Sequence, residues 1–211
     1  KILDRNNNVL ALDVRSFSVG IDLKNFKGNI LNIESLEAIL SVKKETISGL
    51  IKNKKTGFKE IKRHVSGALR KDIENLELEG VFFRENLRRS YPQKEASSHV
   101  VGITDIDRKG IQGSELVFNN TLKGKKGKFT GIKGSGNKKI EGNRIEPQNG
   151  KDLFLTVDIR LQSIAFEELS KAIEETGAES GSVIIINPQS AEILALSNHP
   201  SFNPSDRKNI K

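Results

Sequence analysis

The sequence predicts an α+β fold built in more than one part, and three observations carry that reading. Stretches of β-branched and alternating residues, such as Val9 to Leu23 and Leu78 to Arg88, are interleaved with short runs of helical periodicity. A glycine- and lysine-rich tract, 102–150, has few apolar residues and reads as loops and twisted ribbons, partly mobile. From 151 the pattern changes to a strand, a long amphipathic helix and a hairpin, which begin a sheet domain without completing one.

Each element follows from its own residues. Asp4-Arg5-Asn6-Asn7-Asn8 is a turn cluster that leads into the strand Val9 to Leu23. Ile33, Leu36, Ile39 and Leu40 fall at helical spacing, so Ile33 to Lys44 is expected to be a helix with Asn32 as its N-cap. A second short helix is expected over Thr46–Lys52, then a loop at Lys54-Lys55-Thr56-Gly57. Phe58, Ile61 and Val65 predict a strand, and a helix follows near Ala68–Leu76. Leu153 to Val157 is a short strand. Asp158 is placed to cap a helix whose apolar positions are Leu161, Ile164, Ala165, Leu169 and Ile173. Ser182 to Ile186 is a continuous apolar run, the pattern of a strand buried on both faces. Asn187-Pro188-Gln189-Ser190-Ala191 is a hairpin turn, and Glu192–Ser197 returns.

Composition narrows the function classes. With 35% hydrophobic and 29% charged residues, the chain supports a modest core and a heavily charged surface, and hence an elongated shape. The absence of cysteine excludes a disulfide framework, a cysteine-ligated metal and a thiol nucleophile. No run approaches the 18 apolar residues of a membrane-spanning helix. A net charge of +8 suits an anionic partner or a basic solvated surface.

Four blocks then occur in a recognisable order. The first is Ile2-x-Asp4-Arg5-Asn6-Asn7-x-x-Leu10-Ala11; the second is Arg88-Arg89-Ser90-Tyr91-Pro92; the third is Gly110-Ile111-Gln112-Gly113-Ser114-Glu115. The fourth is Leu155-Thr156-Val157-Asp158-x-x-Leu161-Gln162, followed by Gly181-Ser182-Val183, Glu192-Ile193-Leu194-Ala195 and His199-Pro200-Ser201-Phe202-Asn203-Pro204. Together they resemble the class B penicillin-binding proteins, most closely the cell-division (septal) type, over essentially the whole chain. Two positions depart from the family pattern. Asn7 replaces a glycine at a turn that calls for positive φ, and asparagine tolerates this best among the other residues. Ala191 also stands where the family has glycine, so either it is strained in the left-handed region or the turn differs.

The resemblance implies a non-catalytic pedestal (dimerisation) module over 1–150 and the truncated beginning of a transpeptidase domain over 151–211. It implies a serine acyl-transferase whose catalytic Ser-x-x-Lys lies beyond Lys211, so no activity, cofactor or metal is expected of these residues. It also implies a place on the periplasmic side of the bacterial inner membrane, with an anchoring helix outside this sequence. The partners it implies are a membrane glycosyltransferase, divisome proteins, the chain's own transpeptidase domain and a second copy, and no nucleic acid. Asp4, Arg5, Arg89, Tyr91, Gly110, Gly113 and Glu115 form the expected structural motif set, with Arg5, Arg89 and Glu115 meeting in one charge-assisted network.

Several strings imitate chemistry. Ser41-x-x-Lys44, Ser135-x-x-Lys138 and Ser205-x-x-Lys208 match the nucleophile motif, Ser135-Gly136-Asn137 the second motif, and Lys55-Thr56-Gly57 the third. In a chain rich in Lys and Ser such matches arise by accident, and their contexts do not frame an active site. His64, His99 and His199 lack metal spacing, and Glu174-Glu175 reads as a solvated pair. Gly131-x-x-Gly134-x-Gly136 lacks the strand–helix context of a phosphate loop. The alternative class is a basic module for nucleic acid or an anionic membrane surface, carried by the lysines of 123–139. Phe129 stands alone there, without the aromatic series that stacks bases.

Overall fold

The computed structural model describes residues 1–52, 57–133 and 139–206. In chain order its strands are β1 (Ile2–Leu3), β2 (Val9–Asp22), β3 (Phe58–Val65), β4 (Val81–Ser90), β5 (Lys128–Lys133), β6 (Lys139–Ile145), β7 (Leu153–Phe154), β8 (Gly181–Ile186) and β9 (Ile193–His199). Its helices are α1 (Ile30–Leu40), α2 (Thr46–Lys52), α3 (Gly67–Glu74), α4 (Ser98–Val101), α5 (Gly113–Val117), α6 (Asn119–Leu122) and α7 (Ile159–Thr176), with a 3₁₀ turn at Lys94–Ser97. The α+β class expected from the sequence is the class observed. The chain divides into two compact units, one of Asp13–Arg88 and one of Lys1–Leu12 with the chain from Arg89 on.

In the Asp13–Arg88 unit, the distal part of β2 pairs antiparallel with β3, from Phe17↔Val65 to Asp22↔Phe58, and β4 also pairs with β2. Alternation along β2 sends Val19 and Ile21 into a core with Leu36 and Leu40 of α1, Ile47 of α2, Val65 of β3 and Ile73 of α3. The sequence reading is corrected at α1. It starts at Ile30, and Asn29 is its N-cap, accepting a hydrogen bond from the Asn32 backbone while the Asn32 side chain accepts one from the Asn29 backbone. Asn32 is therefore the third helical residue of a reciprocal capping box. The helix ends at Leu40 because Ser41 turns left-handed, with φ 49°. Buried Glu37 of α1 accepts from the backbone N–H groups of Glu45 and Ile47, at 3.0 and 2.7 Å, and so holds the first turn of α2.

In the other unit, β1 pairs antiparallel with the start of β2 (Ile2↔Ala11, Leu3↔Val9) and parallel with β7 (Ile2↔Leu153, Leu3↔Phe154). Ile2, Leu10, Ala11, Tyr91, Val101, Val157 and Ile159 form its core. β5 and β6 make a two-stranded ribbon, while β8 and β9 make a hairpin packed on α7. The β8 run is not buried on both faces. Burial alternates along it, and Ile184 and Ile186 are 56% and 52% exposed. α7 covers only one face of the hairpin, and among the described residues no second layer covers the other. For the same reason Ile164, taken from its spacing as a core position of α7, is exposed, while Gln162 is buried.

Candidate functional site

Apart from Arg88, the residues of the four motif blocks fall in the unit formed by Lys1–Leu12 and the chain from Arg89 on. Asn7 has φ +66°, as the sequence required, and this lets the chain reverse so that the Asp4 N–H donates to the Asn8 carbonyl at 2.9 Å. The Asp4 side chain, with no exposed surface, accepts four hydrogen bonds. Oδ1 takes the backbone N–H groups of Asn6 and Asn8, both at 2.8 Å. Oδ2 takes Asn8 Nδ2 at 2.9 Å and the Ile159 N–H, the first of α7, at 3.1 Å. Burial pushes the Asp4 pKa up, but the hydrogen bonds from Asn8, Ile159 and Asn6 outweigh it and hold the carboxyl below its ordinary range.

Asp158 is the N-cap of α7, as its position predicted, and accepts from the Arg160 backbone at 3.0 Å. Asn6 Nδ2 donates to Asp158 Oδ2 at 2.9 Å, which ties the first motif to the fourth. The Arg160 guanidinium, chelating both oxygens, holds the Asp158 pKa far below the usual carboxylate range. Two carboxylates thus face the positive end of one helix, where each is favoured.

Arg89 Nε donates to Glu115 Oε1 at 2.7 Å, and the two side chains are 6% and 4% exposed. Nearby, the Tyr91 hydroxyl accepts from the Thr104 N–H at 3.1 Å. Burial first, and then the negative charge of Glu115, pushes the Tyr91 pKa up to about 12, so it stays a neutral phenol. The glycines of the third motif are needed for close approach. A Cβ on Gly110 would stand 1.9 Å from the Glu115 carbonyl oxygen. Gly113, at φ +61°, packs against Gly102, at φ +78°, and a Cβ on either would overlap backbone of the other segment.

Arg5 does not join Arg89 and Glu115 in this network. Its Nη2 reaches Glu192 at 3.5 Å, a half-exposed contact beside the β8–β9 turn. The reason is local: Arg5 follows a fully buried residue in a tight turn, and the turn directs it outward while its backbone N–H binds the Val157 carbonyl. Ala191 in that turn takes φ +56°, so the left-handed alternative is the one realised.

Gln162 stands in the fourth block, but the sequence assigned it no role. It is 1% exposed, donates from Nε2 to the Ala96 and Leu196 carbonyls at 2.7 and 2.8 Å, and accepts the Leu196 N–H at 2.9 Å. It therefore joins α7 to β9 and to the 3₁₀ turn. The available signal was its place four residues after the cap, in line with Ala165 and Leu169.

Among the described residues there is no cluster of His, Asp and Glu that would hold a metal. His99 Nε2 lies 3.2 Å from the Pro200 carbonyl oxygen, and its ring meets Phe202 edge-on. Ser41 is the C-cap of α1. Lys55, Thr56, Ser135, Gly136, Asn137, Lys138 and Lys208 lie outside the described residues. The motif side chains are joined to one another and to their own backbone, an arrangement suited to fixing positions.

These features coincide with known proteins. Residues 1–155 match the family model described as "Penicillin-binding Protein dimerisation domain". The "Probable peptidoglycan D,D-transpeptidase PenA" of Neisseria gonorrhoeae is 33% identical over 97% of this chain, and the "Peptidoglycan D,D-transpeptidase FtsI" of Escherichia coli is 32% identical over 97%. The chain spans 36% of the length of each. In fold it is similar to the penicillin-binding protein PBP2 of Helicobacter pylori, solved in complex with MreC, with TM-score 0.72 and 21% identity over 98% of this chain and 42% of that one. The chain therefore belongs to the class B penicillin-binding proteins and carries their dimerisation domain.

Proposed function

We propose that residues 1–150 are the non-catalytic pedestal of a peptidoglycan transpeptidase that cross-links septal cell wall. Residues 151–211 begin its transpeptidase domain, and the reactive serine lies outside these 211 residues. The observation that carries this reading is the inward commitment of the motif groups. Asp4 holds the first turn of α7, Arg89 holds Glu115, and Tyr91 receives the Thr104 N–H. Buried groups paired in this way keep one geometry, which suits a supporting role. Asp4, Arg5, Arg89, Tyr91, Gly110, Gly113 and Glu115 then act as structural residues that seat the first elements of the catalytic domain.

On this reading the protein works on the periplasmic face of the inner membrane, held by an anchoring helix outside this sequence. The pedestal meets a membrane glycosyltransferase, divisome proteins and a second copy. The complex of the H. pylori relative with MreC supports protein partners of this general kind. Labelling with a fluorescent penicillin is the test, run on this chain and on one extended by about 350 residues, the size of a further large domain. The longer chain should label and the short one should not. Labelling of the short chain would make one of its own serines reactive and end the non-catalytic reading. Failure of both would end the transpeptidase reading.

A further inference from the structure

The lysine tract is the one feature of the sequence that the pedestal reading leaves without a role. Between 123 and 151 stand nine lysines and arginines against two glutamates. Seven of the chain's eight net positive charges therefore come from 29 residues. A basic solvated loop would explain the charge alone, but the described backbone at the base of this tract is hydrogen-bonded across its two segments. Lys125 and Gln148 exchange both backbone hydrogen bonds, at 2.8 and 2.9 Å, and the Lys151 N–H binds the Thr121 carbonyl at 2.9 Å. A Cβ on Gly150 would stand 1.8 Å from the Leu122 carbonyl oxygen, and one on Gly127 would stand 2.7 Å from that of Ile145. The two segments of this neck therefore approach more closely than side chains at these glycines would permit.

On that neck Lys123, Lys125, Lys126, Lys128 and Lys151 are all exposed, and among the described residues none has a carboxylate partner. Beside them the ribbon exposes apolar side chains. Ile145, 59% exposed, sits directly opposite Lys128, and Phe129, 40% exposed, sits opposite Arg144. The Lys128–Ile145 face of the ribbon thus pairs a cation with a hydrophobe, whereas Arg144 on the Phe129 face is ion-paired with Glu146 at 2.7 Å. Polyanions in water reward the cations only, whereas a lipid interface rewards both, because the hydrophobe enters the acyl boundary while the lysine heads stay among the phosphates.

We infer that the β5–β6 ribbon and its neck form a docking surface for a bilayer of anionic phospholipid. The inference stands on charge and exposure and does not depend on the transpeptidase reading. Clustered lysines near an anionic surface act additively, and the attraction falls within a Debye length.

Co-sedimentation of the 211-residue chain with vesicles tests it. Phosphatidylcholine vesicles containing about 30% phosphatidylglycerol should bind the chain, and pure phosphatidylcholine should not. Binding should weaken steadily as salt rises from about 50 to 500 mM. Replacing Lys123, Lys125 and Lys126 together by Gln should lower partitioning on the order of 100-fold. Ile145→Ser, which leaves the charge unchanged, should lower it roughly fivefold. Both variants should keep the wild-type circular dichroism, and the salt titration of the unaltered chain is independent of that. No binding to the anionic vesicles, or binding that ignores the lysines, overturns the inference. An Ile145→Ser protein that partitions like wild type would mean that charge alone acts, and the lipid assignment would fall. Tighter binding to a short single-stranded DNA than to the vesicles would reassign the surface to nucleic acid.

Discussion

In the Asp13–Arg88 unit, Val19, Ile21, Leu36, Leu40, Ile47, Val65 and Ile73 close an apolar core, and the ionisable groups buried in this unit include Glu37 and the ring nitrogens of His64. The unit that joins Lys1–Leu12 to the chain from Arg89 on buries Asp4, Arg89, Glu115, Asp158 and Gln162 around a core of similar extent. Every residue of the expected motif set falls in this second unit, and none falls in the first. The difference concerns specificity. An apolar core accepts many side chains of roughly the right volume, whereas a buried polar network accepts only the partners that satisfy it. Short sequence motifs therefore mark the polar unit, while the apolar one is written only in periodicity.

The largest expected effect tests that contrast directly. Glu115→Gln leaves the Arg89 charge buried without its carboxylate and should cost about 3–5 kcal/mol. Leu40→Met in the other unit keeps the core volume and should cost less than about 1.5 kcal/mol. Hydrogen exchange reads each unit separately, so the first substitution should lower protection of the amides around Arg89 and Tyr91 and leave those of α1 alone. Equal costs for the two changes would break the comparison.

Asp4 comes next and adds a pH dependence. Its folded pKa lies below the ordinary 3.8, so its contribution is full above that value and is lost as pH falls through the folded pKa. Asp4→Asn puts an amide where a carboxylate accepted four donors, and at neutral pH it should cost about 1–3 kcal/mol. Asp158 titrates in both proteins, so the difference between them isolates Asp4. Urea unfolding of both should show the gap narrowing as pH drops below about 4. A gap that stays constant with pH would mean that the lost contribution is shape and not charge.

Where the sequence was legible, one residue dictated one local geometry. Asn7 takes the positive φ that its turn demands, Asp158 caps the helix it precedes, and β3 spans the strand read from Phe58, Ile61 and Val65. Where it was not, two candidates competed or the partner was remote in sequence. Asn29 and Asn32 both suit a cap, and only the reciprocal box separates their roles. The carboxylate that Arg5 reaches is Glu192, 187 residues away. Glu37 and Gln162 look like surface polar residues until the backbone groups they bind are known.

The smallest expected effect sits on the exposed face of β8. Continuous hydrophobicity over Ser182–Ile186 promised burial on both faces, yet Ile184 is 56% exposed. Ile184→Ser should therefore change the stability of this chain by less than about 0.5 kcal/mol. If residues 151–211 open a larger sheet domain, the same substitution in a chain about 350 residues longer should cost about 1–3 kcal/mol, because a second layer then covers the side chain. The pattern of alternating burial belongs to the described residues, whereas the pattern of unbroken hydrophobicity belongs to the sequence. Measuring Ile184→Ser in both lengths of chain asks which of the two describes the working protein, and a cost that stays near zero in the longer chain would leave this face to some other partner.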